Sequence, residues 1–172
     1  MRTVRCARFA LEPQATAHAD EMFAVLTDPA IYEYENEPPA SVEWLRERFR
    51  KLESRRSPDG SQQWLNWVIR MPSGEFAGYV QATVHDDGRA AIAYVLASAW
   101  WGRGLAGEAV TAMIGELARG HGARELTAVF KRDNHRSRRL LERLGFALAS
   151  PRRHAELEVG ADEVLMWREV PR

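Results

Sequence analysis

Between Trp64 and Leu96 the chain writes three apolar runs, WLNWVIRM, EFAGYVQATVH and AAIAYVL, separated by PSG and by a turn containing DDG. Connections this short leave no room for a crossover, so the three runs are predicted to be antiparallel neighbours in one sheet. Their β-branched and aromatic content suits strands. Trp64 and Trp67 stand three apart in the first run and are predicted on opposite faces, one in the core and the other available to line a site.

Elements on either side extend this sheet. Alternation in VRCARFAL predicts one strand over Thr3–Leu11. After Pro13, Met22, Phe23, Val25 and Leu26 group on one helical face, and that helix ends near Asp28–Pro29. IYEYENEPPA reads as a loop. Ser41 is a candidate N-cap for a helix running to about Ser54, and SRRSPDGSQQ is expected to be the most mobile segment. Past Leu96 come ASAWW, a glycine run and a helix over Leu105–Arg119, stopped by Gly120 and Gly122. The strand ELTAVF, a helix from Asn134 to Gly145, and the strands FALAS and EVLMWREV complete the chain. PRRHAELEVGAD joins the last two as a loop. The 172 residues, 45% hydrophobic and 28% charged, read as a single α/β domain over 1–172.

No run approaches the length of a membrane span, and MRTVRCARFALE lacks the apolar stretch of a signal peptide, so a cytoplasmic protein without membrane contact is expected. Cys6 stands alone, which precludes an internal disulfide and suggests a buried structural thiol. The five histidines lie in separate elements without ligand-like spacing, so no metal is expected. The net charge of zero conceals an asymmetry. Phe9 to Leu45 holds eight acidic residues and no Lys or Arg, whereas Lys131 to Arg153 holds eight basic residues against Asp133 and Glu142. Two solvated faces account for this; so does an acidic end that attracts a cation and a basic end that holds an anion. One short basic helix in a neutral chain is poor evidence for nucleic acid.

The glycine run, GRGLAG at 102–107, has the G-x-G-x-x-G spacing of a dinucleotide fingerprint. A Rossmann site puts its first glycine directly at the strand end, yet five residues separate Leu96 from Gly102. Asp133, the best ribose-binding acid, lies 26 residues beyond Gly107 rather than about 20, and too few elements follow for a doubly wound sheet. No Gly-Lys-Ser/Thr ends the run, so a nucleoside triphosphate loop also fails. Another phosphate cradle at a helix start, or merely a flexible turn before the helix, remains.

The combination AYVL…WWGRGLAGEAV…NHRSRRLLERLGF resembles the GNAT superfamily of acyl-CoA-dependent N-acetyltransferases, and within it the RimJ/RimL type, which acetylates N-terminal amines of ribosomal proteins. The likeness spans the chain, including TDPAIYEYE. It implies the GNAT fold: a mixed, mostly antiparallel sheet splayed between the family's fourth and fifth strands and flanked by about four helices. It also implies acetyl-CoA as co-substrate. Backbone N–H groups of Gly102, Arg103, Gly104, Leu105, Ala106 and Gly107 would bind the pyrophosphate, with Arg103 adding charge. Amides near Val95 and Leu96 would bond the pantetheine arm and polarise the thioester carbonyl. Asn134 would bond the same arm, and Arg138 and Arg139 would meet the 3′-phosphate.

For chemistry, the position of the family's usual tyrosine acid is Leu141. The RimL-like serine maps onto Ser137, which as a first-turn serine has the alternative of bonding helix backbone. The RimL-like glutamate base, four residues before a glycine in the last loop, maps onto Glu156 ahead of Gly160, with Glu158, Glu35 and Glu37 as competitors. Glu33, Glu35 and Glu37 would form the acceptor side and draw in a cation. The acceptor implied is a protein or peptide N-terminal amine. A small amine such as a polyamine, an aminoglycoside or an amino-acid-like compound is the alternative, and an acyl-CoA-binding protein without turnover is a third. A monomer or homodimer is expected.

Overall fold

The meander is present with a regular register over most of its length. Strands β3 (Gln62–Arg70), β4 (Phe76–His85) and β5 (Arg89–Leu96) pair antiparallel, Gln62 opposite His85 and Val84 opposite Ala90. The register slips between Ile69 and Arg70, where the β3–β4 turn begins. The structure is a computed structural model and describes residues 1–34 and 37–170.

The predicted first strand is instead a hairpin, β1 (Val4–Arg5) and β2 (Ala10–Pro13), closed by Cys6 N–H donating to the Phe9 carbonyl at 2.9 Å. Alternation cannot distinguish one strand from two short ones of matching phase, because a tight turn leaves both edges apolar on the same side. Strand β2 then pairs with β3. Helix α1 (Ala19–Leu26) follows a short 3₁₀ turn, and α2 (Val42–Leu52) begins at Ser41, whose hydroxyl accepts from Trp44 N–H at 3.1 Å. Residues 54–63, expected to be mobile, are tied into a turn by Asp59, which accepts from Ser57 and Ser61, and by the Arg56–Gln63 bridge.

After β5 come α3 (Leu105–Gly120), β6 (Glu125–Lys131), α4 (His135–Arg143), β7 (Ala147–Leu148), α5 (Pro151–Glu156) and β8 (Glu163–Glu169). Helix α5 replaces part of the predicted final loop; Pro151 at its first position and the Ser150 cap make a start that its short length disguises. Among the described residues the sheet has eight strands in the order β1-β2-β3-β4-β5-β6-β8-β7, flanked by five α-helices.

All pairings are antiparallel except β5 with β6, and that one reaches only from Arg89–Glu125 to Ala91–Thr127. Beyond Ala91 the two strands part, leaving one edge of β5 without a strand beside it. The core lies on both faces of the sheet. Leu65, Trp67, Ile69, Ile92 and Leu96 pack with Ala109, Val110, Met113 and Leu117 of α3, while Val68, Phe76 and Val95 pack with Met22 and Leu26 of α1 and Leu45 and Phe49 of α2. Trp67 is thus the core tryptophan, its indole N–H donating to the Arg2 carbonyl at 3.2 Å. Trp64 bonds Gln62 and lines neither of the cavities described below.

Candidate active site

The parting of β5 from β6 opens a cavity of about 1180 Å³, walled by β5, the glycine loop, the start of α3 and the start of α4. Gly104 is the N-cap of α3 and stands at φ +75°, a left-handed backbone that only glycine adopts without strain. With no side chain capping this 16-residue helix, its leading N–H groups and positive dipole end face the cavity. Arg8 braces the loop from the N-terminal hairpin. It donates to the Arg103 carbonyl at 2.8 Å and pairs with Glu108 at 2.8 Å. This arrangement suits a pyrophosphate, because it offers several backbone donors and requires no side-chain cation in contact.

Most residues expected to bind the co-substrate are gathered here. Val95, Leu96, Gly102, Gly104, Leu105, Ala106, Gly107, Asn134, Ser137 and Arg139 all line the cavity. Two expected cations do not. The Arg103 guanidinium lies over the Trp100 ring at 5.1 Å, and Arg138 pairs with Glu142 at 3.0 Å on the exposed side of α4. Arg5, Arg136 and Arg143 take their places in the lining, Arg136 stacked on Trp101 at 4.5 Å. Helical spacing explains the exchange: Arg136, Arg139 and Arg143 recur at three and four residues and share a face that Arg138 misses. Trp100 and Trp101 are walls of the cavity.

Strand alternation also separates Val95 from Leu96. Ala97 N–H donates to the Ala77 carbonyl at 3.0 Å on the β4 side, so Val95, two residues earlier, turns its backbone toward β4 as well. Leu96, of opposite parity, presents its backbone to the opening, where its carbonyl accepts from the Trp101 indole at 2.8 Å. The β5 amides directed away from β4 are therefore those of Tyr94 and Leu96, and Val95 meets the cavity without its N–H.

The start of α4 carries two expected polar groups. Asn134 caps the helix, its Oδ1 accepting from Ser137 N–H at 3.0 Å. The Ser137 hydroxyl is not spent on helix backbone; it lies 2.6 Å from the Tyr94 hydroxyl, and both residues line the cavity. Leu141, at the family's tyrosine position, is fully buried in the core. Reading the residues one at a time passed over Tyr94, although its place two before Leu96 puts it on the same face.

A second cavity of about 250 Å³ lies between α1, α2 and the sheet, lined by Gln14, Asn66, Gln81, Glu37, Trp44 and Tyr79 among others. Ile31 and Val95 line both cavities. Gln14 and Asn66 are buried, and the Gln14 amide nitrogen has no hydrogen-bond partner among the described residues. The segment carrying Ile31 is latched across the site by Asp28, whose carboxylate accepts from Ala30 N–H at 3.0 Å and from Ser98 N–H at 2.6 Å. Those bonds, the one from Ser98 foremost, hold the Asp28 carboxyl below its ordinary range.

The expected acidic residues fare unevenly. Glu37 lines the second cavity, Glu33 is exposed and lines neither, and Glu35 lies outside the described residues. Glu156 sits on α5, paired with Arg152 at 2.8 Å on an exposed surface, and lines neither cavity, as does Glu158. The segment was predicted to be a loop; the helical turn at 151–156 instead places this carboxylate on an exposed surface. His154, on the same helix, accepts from Leu165 N–H at 3.3 Å. Cys6 is half-buried and lines the first cavity, with burial raising its thiol's pKa. Among the described residues no helix is long and apolar enough to cross a membrane, and no three His, Cys, Asp or Glu side chains gather as metal ligands would.

Comparison with known proteins accords with this geometry. The pattern of the acetyltransferase (GNAT) domain matches residues 8–147. No curated protein matches the sequence. Among solved structures, the ribosomal L7/L12 alpha-N-protein acetyltransferase RimL in complex with coenzyme A is similar at TM-score 0.82 and 18% identity, covering 98% of each chain. A chain assigned to the GNAT family from Bordetella pertussis is similar at TM-score 0.77 and 26% identity, covering 98% of this chain and 99% of that one. The microcin C7 self-immunity acetyltransferase MccE, in complex with acetyl-CoA and AMP, is similar at TM-score 0.78 and 16% identity, over 96% of this chain and 94% of the other.

Proposed function

The chain belongs to the GNAT acetyltransferase family, and from that premise we propose that it transfers the acetyl group of acetyl-CoA to the N-terminal amine of a protein or peptide, by direct attack with both substrates bound. The observation that carries this reading is that two cavities have Ile31 and Val95 in common in their linings. The larger suits the nucleotide and pantetheine, and the smaller opens onto the same point of β5 for the acceptor.

Acetyl-CoA would bring the acetyl group as an activated thioester; the rest falls to the chain. The first-turn N–H groups of α3 hold the pyrophosphate, with Arg5, Arg139 and Arg143 placed for the remaining phosphate charge. The Asn134 amide faces the pantetheine arm. The free edge of β5 offers the Tyr94 and Leu96 N–H groups to the developing oxyanion, pre-aimed by the sheet. Ser137 protonates the departing sulfur. For the base, an α-amine titrates near 8 against about 10.4 for lysine, so an N-terminal acceptor is partly neutral at pH 7 and loses its proton to water relayed past Glu37. Glu156 has no part in this reading.

The likeness to RimL, whose acceptor is a protein N-terminus, supports the peptide reading. The small volume of the second cavity and the likeness to MccE favour a small amine as the second reading. Thermal unfolding with acetyl-CoA, NADH as control, tests the premise. Ligand at a hundred times its Kd adds about 2.7 kcal/mol, a rise of roughly 5–11 °C for a chain of this length. A rise with NADH alone would overturn the reading. Thiol release from acetyl-CoA then compares alanyl peptides with spermidine. A peptide enzyme loses rate as residues beyond the first are removed, a small-amine enzyme prefers spermidine, and a binding protein releases thiol with neither.

A further inference from the structure

We propose that Tyr94 supplies the proton that leaves through Ser137, so that the two hydroxyls act as one acid on the departing thiol. The proposal rests on the acetyl-transfer reading above. Its basis is geometric. Two hydroxyls from elements 43 residues apart in sequence lie 2.6 Å from each other inside the larger cavity. Each is held by its own element, Tyr94 by the β4–β5 ladder and Ser137 by the bond from its N–H to Asn134 Oδ1. Nothing in the packing of the core requires two polar groups to meet here.

The chemistry explains why one hydroxyl is insufficient. A serine hydroxyl does not ionise at any pH at which the protein is folded, so Ser137 cannot give up its proton and remain an alkoxide. A tyrosine titrates near 10 and a thiol near 8.5, so a proton passes between those two at a cost of about 2 kcal/mol. Ser137 bridges them. As the carbon–sulfur bond of the tetrahedral adduct breaks and its electron pair goes to sulfur, the Ser137 O–H proton moves to sulfur and the Tyr94 O–H proton moves to Ser137 Oγ. Tyr94 is left as phenolate. Water returns a proton to it, matching the one that the acceptor nitrogen released to water on becoming an amide. A donor chain of this kind strengthens each link, because each oxygen is polarised by the next. It also leaves this chain without need of the family's usual tyrosine, whose position Leu141 fills with core.

Tyr94 acts through Ser137, so its test needs a readout that loss of packing would not move. The relay holds the thiolate of bound CoA, whereas acetyl-CoA cannot ionise there. The ratio of their Kd values, measured by titration calorimetry from pH 6.5 to 9.5, cancels every phosphate contact. In the native protein CoA gains on acetyl-CoA as pH rises, by about tenfold more than in Tyr94→Phe, equivalent to about one pKa unit on the bound thiol. Ser137→Ala loses the same gain, the double variant loses no more than either, and Ser137→Thr retains it. With an acceptor peptide, kcat falls about 10²-fold in each single variant and no further in the double. A Tyr94→Phe protein that keeps both the gain and kcat while Ser137→Ala loses them would overturn the relay in favour of Ser137 alone. A Ser137→Ala protein that keeps them would overturn it in favour of direct donation by Tyr94. Failure of the native protein to bind either CoA or acetyl-CoA would instead remove the acetyl-transfer reading, and the relay with it.

Discussion

Gly78 is the residue at which stability and site geometry meet most directly. It lies near the start of β4, paired with Leu96 at the end of β5, has φ +151°, and a methyl group built on it would sit 2.0 Å from the Val95 carbonyl oxygen and 2.8 Å from the Leu96 Cα. Both obstacles are backbone, so Gly78→Ala is relieved only by moving β5, by about 1 Å. Overpacking of this order costs about 1–3 kcal/mol and the strained backbone about another 1 kcal/mol, giving about 3 kcal/mol together. For a chain of this length, that lowers the melting temperature by roughly 6–12 °C. Gly74→Ala is the matched control: φ is +94°, but nothing lies within 4 Å of the added methyl. It loses only the backbone term, about 1 kcal/mol or roughly 2–4 °C. Calorimetric scans of the three proteins separate the two costs. Because the strand displaced by Gly78→Ala carries the Tyr94 and Leu96 amides, turnover of acetyl-CoA should also fall, by up to about 10²-fold for a shift of about 1 Å, while Gly74→Ala turns over normally. Equal melting temperatures for the two variants would refute the close approach, and an unaltered rate in a destabilised Gly78→Ala would refute the role given to the strand.

Three further outcomes follow from named contacts. Asp28→Asn weakens the latch to Ser98 and raises KM for the acceptor; because the folded-state pKa is depressed, the latch contributes stability above the unfolded pKa that is lost as pH falls through the folded value, so melting curves of the native protein and Asp28→Asn converge in acid. Gln14→Leu removes the unpartnered amide from the second cavity, leaving acetyl-CoA affinity intact and raising acceptor KM by about tenfold, or 1.4 kcal/mol. Glu156→Gln leaves turnover and melting temperature unchanged within error, since an exposed pair such as Glu156–Arg152 contributes about 0–1 kcal/mol; a large loss of rate would return Glu156 to the site.

The order of elements was legible from residue order because periodicity and turn chemistry act over a few neighbours. The β3–β5 meander, α3 after its glycine loop, and α4 from its Asn134 cap all stand where those local rules put them. The hairpin at 4–13 and the short helix at 151–156 were not legible, being shorter than the period that would reveal them. The cradle at 102–107 could be read as a phosphate site because a loop, a left-handed glycine and a helix start are contiguous in the chain.

What tertiary structure alone decided is which side chains converge. The split of β5 from β6 beyond Ala91 is not legible in either strand by itself; it is a property of how the two strands are paired in the sheet. That split pairs Tyr94 with Ser137, brings Arg143 in place of Arg138, and sends Glu156 to an exposed helix although its offset from Gly160 matches the family. Sequence therefore determined the family, the strand and helix types and the anion-binding loop, all of them contiguous features. The proposed proton path and the proposed acceptor cavity join residues tens of positions apart, and distance in space, on which hydrogen bonding depends, is set only when the sheet closes its two faces.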